Sequence, residues 1–222
     1  MENNILNIED KVLADVIVIE PNTKINSLNS EASCPNLLDL LLTKEGEQGK
    51  MGQFIEGAKG HNLSFRYTDK YLKSQIGLII MSQFVIKFME ACGIDNPQNF
   101  ENVTFDSGSF NDSNCIGTRT LISDYEHDRL RDEALREYLP GIRIVSHTPK
   151  DMPHWRALEI TDNDCHTRLT IMPDGGFANG WLVDTRRDAT RNTTDDDVKS
   201  NIHLIAGHMP LAFHIGLKNL PE

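Results

Sequence analysis

The stretch that decides the fold is Pro153-His-Trp-Arg-Ala-Leu-Glu-Ile160, Thr161-Asp-Asn-Asp164, Cys165-His-Thr-Arg-Leu-Thr-Ile171, then Met172-Pro-Asp-Gly-Gly-Phe-Ala-Asn-Gly-Trp181. Two runs with the alternation of β-strands flank four turn formers, which predicts a hairpin. With Thr161–Asp164 as its loop, Ile160 faces Cys165, Leu158 faces Thr167 and Arg156 faces Leu169. Side chains alternate along a strand, so His154, Arg156, Leu158 and Ile160 share one face with Thr167, Leu169 and Ile171. That face is apolar except at its open end, where His154 and Arg156 sit two residues and roughly 7 Å apart. The other face carries Glu159 opposite His166, with Arg168 beside Ala157. The glycine-rich segment from Asp174 to Gly180, with Gly175 and Gly176 near its start, brings backbone close to a ligand or only turns the chain.

Outward from the hairpin, a chain of 222 residues holds one large domain or two small ones. Hydrophobic residues make up 39% and charged residues 25%, ordinary proportions for a globular protein that buries a substantial core. No apolar run approaches the ~20 residues of a membrane span. Met1-Glu-Asn-Asn4 lacks the basic start and apolar core of a secretory signal, so a cytoplasmic location is expected. The net charge of −11 argues against nonspecific binding to nucleic acid or to anionic lipid, both of which need a positive field. Arg186, Arg187 and Arg191 could form a local basic patch, but Asp195, Asp196 and Asp197 follow them and favour a solvated loop. The cysteines, Cys34, Cys92, Cys115 and Cys165, have no C-x-x-C spacing and are expected to be reduced core residues. Asp164-Cys165-His166 offers ligand atom types, yet no second cluster has ligand spacing, so neither a metal nor another cofactor is expected.

Val12–Ile19 reads as a strand stopped by Glu20-Pro21. Ser33 then caps a helix that opens with Pro35. Met51–Ala58 reads as a short helix and Asn62–Thr68 as a strand, with Leu63, Phe65 and Tyr67 on one face. Asp69-Lys-Tyr-Leu-Lys73 follows at the strand's C-terminal end, where α/β folds place ligand groups. An apolar helix spans about Ser74–Cys92, with Gly93 as its stop. Asn102–Phe105 is a short strand, and Asp106–Asn114 a loop. Leu121–Leu139 is a charged amphipathic helix whose pairs Arg129/Glu133 and Asp132/Arg136 mark a wet face. Ile142–Val145 is a strand. His203, His208 and His214, at intervals of five and six, fit no helical ligand pair and read as structural. This order implies an α/β fold, one mixed β-sheet flanked by helices.

From about Met51 onward the chain resembles the phospholipase-D-like domain found C-terminal to MIT domains, in its bacterial form. The resemblance is carried by Thr68-Asp69-Lys-Tyr71-Leu-Lys73 and the long helix behind it, then by Leu135-Arg-Glu-Tyr-Leu-Pro-Gly-Ile142. His154-Trp-Arg156 and Ile171 leading into Asp174-Gly-Gly-Phe177 complete it. The resemblance implies one half of a phospholipase D fold over residues 51–222, with 1–50 as an extension packed on that domain. In the enzymes of that group a histidine attacks phosphorus and a basic residue binds phosphate. Here His154 would be the nucleophile and Arg156 the phosphate fork. Trp155 stands where the family has Asp, however, and Thr161 occupies the enzymes' acidic position. Those enzymes use two such motifs, so catalysis here would need a homodimer.

The leading expectation is a non-catalytic binding or interaction domain. Asp69, Tyr71, Lys73, His154, Arg156, Asp174, Gly175 and Gly176 would form a site for a phosphate-bearing ligand or a protein partner. Against it stands a purely structural reading: Asp69 caps the next helix, Tyr71 is half-buried, and His154 and Arg156 pair with a neighbouring carboxylate. A metal-independent phosphodiesterase or nuclease using His154 is the catalytic alternative. An adaptor within a multi-protein bacterial system, its acidic surface facing a basic partner, is the third.

Overall fold

A computed structural model describes residues 14–26, 34–95, 97–110, 125, 127–152, 156–177, 181–183, 203–206 and 209–221. The segment Leu63–Asp69 (β3) alternates apolar and polar residues, and Leu63, Phe65 and Tyr67 are buried on one side of it. It lies inside a seven-stranded mixed sheet, next to the central strand. On one flank β3 runs parallel to Val103–Gly108 (β4), and β4 runs parallel to Arg143–His147 (β5). On the other flank it pairs antiparallel with Arg156–Asp162 (β6). Beyond β6 come Thr167–Pro173 (β7), Leu211–Asn219 (β10) and, at the edge, Asp15–Ile19 (β1). A second sheet of three short strands is ordered Lys24–Asn26 (β2), His203–Ala206 (β9) and Trp181–Val183 (β8). The mixed sheet with helices against it agrees with the expected architecture and is consistent with a phospholipase-D-like fold.

Four α-helices are seen among the described residues: Leu37–Glu45 (α1), Lys50–Gly57 (α2), Gln75–Ala91 (α3) and Asp128–Tyr138 (α4). Helix α3 has apolar residues around nearly its whole circumference, as a helix covered on all sides requires. Ser74 caps it by accepting the Gly77 N–H, and Gly93 ends it in the left-handed conformation that a side chain disfavours. The Phe88 ring meets Phe54 of α2, Phe65 of β3 and Phe84 one turn before it. The sheet face bearing Tyr67, Phe105, Leu158, Ile160, Leu169 and Ile171 joins the helices in one cluster. The other face carries polar residues such as Arg66, Glu159 and Arg168.

Several expectations need correction. The hairpin loop is 163–166, so Ile160 faces Leu169 and Leu158 faces Ile171. Asp162 stays in the strand because its Oδ1 accepts the N–H groups of Asp164 and Cys165, and His166 takes the left-handed conformation. The loop shift is even in side-chain phase, so each residue keeps its face. Glu159 therefore meets Arg168, at 3.0 Å, rather than His166. The cap of α1 is Asn36, whose Oδ1 accepts the Asp39 N–H; Ser33 lies outside the described residues. β4 continues through Gly108, taking in part of the expected loop.

Helix α4 begins only at Asp128, with His127 as its cap. Its Arg129–Glu133 pair forms at 3.0 Å, but Asp132 is held by Arg131, which is buried rather than on a wet face. Among the cysteines, Cys92 is a core residue whose thiol burial pushes up to about 12. Cys34 is half-buried, and Cys165, in the hairpin loop, is exposed. Cys115, His208 and the arginines at 186, 187 and 191 lie outside the described residues. No helix among the described residues is long and apolar enough to cross a membrane.

Because Phe88 fills the junction of α2, α3 and β3, Phe88→Ala is expected to cost about 3–5 kcal/mol. Denaturant unfolding measures it; a loss under about 1 kcal/mol would mean that the junction collapses around the gap.

Candidate functional site

At the C-terminal end of β3 the apolar face gives way to a carboxylate. Asp69 shares the face of Tyr67, two residues earlier, and only 2% of it is exposed. Antiparallel pairing sets Arg156 directly beside it, the first residue of β6 opposite the last of β3. The Asp69 carboxylate accepts three kinds of donor: the Tyr67 hydroxyl at 2.8 Å, the Tyr71 backbone N–H at 2.8 Å and the Arg156 Nε–H at 3.3 Å. Burial raises its pKa above the usual carboxylate range, outweighing the stabilisation that these donors give the anion. Burial, and then the charge of Asp69, hold the Tyr67 phenol well above its ordinary value, so it remains a donor.

Arg156 is held at its Nε edge, and its guanidinium carbon lies over the Tyr71 ring, 5.4 Å from the centroid. Lys70 approaches the same ring at 5.5 Å. The Arg156 side chain is 27% exposed, and Asp69 is its only hydrogen-bond partner among the described residues. A guanidinium gripped through Nε leaves its two Nη groups as a fork suited to two oxygens of one phosphate or carboxylate. Gly176, in the turn after β7, closes the other side. It has φ +83°, and a Cβ there would lie 2.7 Å from both Arg156 Cδ and Asp69 Oδ2. The turn therefore packs backbone directly on the ion pair, which only glycine allows.

The structure thus brings together Asp69, Tyr71, Arg156 and Gly176, with Gly175 adjoining. His154 lies outside the described residues. Lys73 turns to the Phe110 ring, 5.0 Å from its centroid, and Asp174 turns to His214 Nε2 at 3.3 Å. Neither is seen to join Arg156.

Three residues, two of them at the site, escaped the sequence reading. Tyr67 looked like plain core, although its phase with Asp69 was the available signal. Lys70 sat unremarked inside the quoted motif. Arg131 is wholly buried, 5.3 Å from the Phe105 centroid and 5.1 Å from that of Phe110, with Nη1 donating to the Gly108 carbonyl at 3.3 Å. Its place four residues before the buried Leu135 was the signal there.

A second polar group occupies the opposite sheet face. Arg66 grips the buried Asp106 carboxylate through Nε at 2.7 Å and Nη2 at 3.1 Å, and His147 Nε2 meets the same carboxylate at 2.8 Å. The parallel register sets Asp106 two residues beyond the partner of Arg66 and His147 two beyond the partner of Asp106, so all three share one face. This cluster neutralises a carboxylate within the sheet and does not share a face with Asp69.

With this geometry in view, residues 41–208 match the family described as the DEAD/DEAH box helicase YjiV, C-terminal domain. The match spans about three-quarters of the chain, and the chain belongs to that family. The expected link to domains that follow MIT modules is not shown. No curated protein matches significantly.

Among solved structures, the chain is similar to polyphosphate kinase from Porphyromonas gingivalis, with 15% identity and a TM-score of 0.34 over 75% of this chain and 20% of that one. It is also similar to the yeast tyrosyl-DNA phosphodiesterase, with 12% identity and a TM-score of 0.29 over 76% of this chain and 29% of that one. The chain thus spans less than a third of either protein, and likenesses this slight carry no argument about function.

The raised pKa of Asp69 has a consequence for stability. Between the ordinary carboxylate value, about 4, and the raised native value, the native state holds more protons than the unfolded state. Stability therefore falls as pH rises through that window. The wild type is expected to lose stability relative to Asp69→Asn over this interval, measured by denaturant unfolding at a series of pH values. Parallel stability curves for the two proteins would show that Asp69 titrates normally. Gly176→Ala is expected to destabilise by about 1–3 kcal/mol, from the left-handed backbone and the contact with Arg156; thermal unfolding would reveal an unchanged midpoint if the turn yields instead.

Proposed function

We propose that this chain is a non-catalytic binding domain that recognises a phosphate group through Arg156. The observation that carries the reading is the grip of buried Asp69 on Arg156 Nε, with the guanidinium carbon set over Tyr71 and no further hydrogen bond of Arg156 to the described residues. Such a fork is held in place before any ligand arrives, so less side-chain freedom is lost on binding. Lys70 beside Tyr71 adds positive charge at the same edge.

The family's description, a C-terminal domain of a DEAD/DEAH box helicase, supports a role beside an engine that works on nucleic acid. In that setting a terminal phosphate on a strand is the fitting ligand. The net charge of −11 disfavours sequence-independent coating of a duplex, so recognition would rest on the end group rather than on the length of the polymer. A place in a multi-protein system, and pairing into a homodimer, follow only if the ligand or partner calls for them.

The test is binding of inorganic phosphate and of a short oligonucleotide with and without its 5′-phosphate, followed by calorimetry. Binding is expected to depend on the phosphate and to weaken at least tenfold in Arg156→Lys, whose ammonium offers neither the Nε contact with Asp69 nor a bidentate fork. Equal binding of the two oligonucleotides, or unchanged affinity in a folded Arg156→Lys, would refute the reading. Metal-independent turnover of a phosphodiester, lost in His154→Ala, would replace it with the phosphodiesterase alternative.

A further inference from the structure

At the opposite end of the β3–β6 pair three donor atoms of different chemistry converge. His61 immediately precedes β3 by two residues, Asp162 ends β6, and Cys165 lies in the hairpin loop. His61 Nδ1 is 2.8 Å from Asp162 Oδ2 and 3.7 Å from Cys165 Sγ, and the three donor atoms all lie within 4.8 Å of one another. The sequence separates His61 from the others by about a hundred positions, and only the pairing of Leu63 with Asp162 brings them together.

The group is held from outside itself. Asp162 Oδ1 is used by the N–H groups of Asp164 and Cys165, which leaves Oδ2 on the side of the imidazole. Asp164 Oδ2 accepts the Asn62 N–H at 2.8 Å, and the Asn163 N–H donates to the Asn62 carbonyl at 3.0 Å. These bonds lock the hairpin loop against the segment that carries His61. Two of the three donors thus sit on one braced turn and the third on the strand entry tied to it.

We infer that His61 Nδ1, Asp162 Oδ2 and Cys165 Sγ form a binding site for a zinc-class divalent ion. Imidazole, carboxylate and thiolate are the ligands that zinc takes, with bonds of about 2.0–2.2 Å to nitrogen or oxygen and about 2.3 Å to sulfur. Tetrahedral coordination at those lengths puts nitrogen and sulfur about 3.5 Å apart and nitrogen and oxygen about 3.3 Å apart. The observed sulfur–nitrogen separation already fits. The His61–Asp162 contact needs to open by about half an ångström, as the ion takes the place of the proton shared between them. Binding releases the thiol proton, and the imidazole keeps its single proton on Nε2, since the ligands are neutral imidazole, carboxylate and thiolate. Cys165 is exposed, so the fourth position faces solvent and takes water. Three protein ligands and an open position make the ion exchangeable rather than a structural staple.

The test is titration of the full chain with Co2+ as a spectroscopic probe, then displacement by Zn2+. One Co2+ per chain is expected, with a thiolate-to-metal charge-transfer band in the near ultraviolet that Zn2+ abolishes. Cys165→Ser is expected to lose the band, and His61→Gln to weaken Zn2+ at least tenfold. Both residues are solvent-accessible enough for these changes to leave metal-free unfolding midpoints near that of the wild type, which thermal denaturation checks. Asp162 is left intact because its Oδ1 shapes the turn. Absence of the band in the wild type would overturn the site, and so would a band that persists in Cys165→Ser, since another thiol would then hold the metal.

Discussion

A carboxylate buried at the end of a strand must find donors for its lone pairs, and Asp69 finds them on three separate segments. The Tyr67 hydroxyl belongs to its own strand, the Tyr71 N–H to the turn leading into α3, and Arg156 to the neighbouring strand β6. Removing any one of them would leave charge short of compensation in a medium that penalises it. The same carboxylate that costs stability therefore fixes where β3 ends, how the turn before α3 leaves it, and where β6 begins. The glycine turn after β7 completes the arrangement, since Gly176 packs where no side chain fits. Four pieces of chain are registered against one ion pair.

How much of this was legible follows from which forces act locally. Leu63, Phe65 and Tyr67 alternate, α3 is apolar around its circumference, and Gly93 stops it; each is a property of neighbouring residues, and each was readable. Asp69 and Arg156 were also readable as polar residues at strand ends. Their direct pairing was not, because it depends on β3 and β6 lying side by side across 87 positions of sequence. The hairpin shows the opposite failure. Periodicity put each residue on its proper face, but the loop position was set by the Asp162 side chain capping backbone N–H groups, which leaves no trace in hydrophobic alternation.

Proximity in sequence also misled. Lys73 and Asp174 flank the residues that meet, yet one lies over Phe110 and the other pairs with His214. The turn at Tyr71 and the β7–β10 pairing decide those directions, and neither is a local property. Arg131 carries the same lesson on a helix: it reads as one more charge on a polar face, but the stripe it shares with Leu135 is the buried one. Two aromatic faces, the Gly108 carbonyl and Asp132 receive it. A cation can be core when its π partners and one carbonyl are already in place.

The acidic balance of the chain and the phosphate-binding role proposed for Arg156 are compatible once distance is considered. Salt screens exposed charges beyond about 8–10 Å, so a phosphate docked at Arg156, as proposed, would feel Arg156, Lys70 and the paired Asp69 more than the chain's other carboxylates. An extended polyanion would have no such shelter from a chain whose net charge is −11. The protein's field then opposes long contacts while a local, rigid fork favours one group. On the proposed reading, selectivity for a phosphate terminus over the body of a strand would follow, with the buried Asp69 carboxylate holding Arg156 in place.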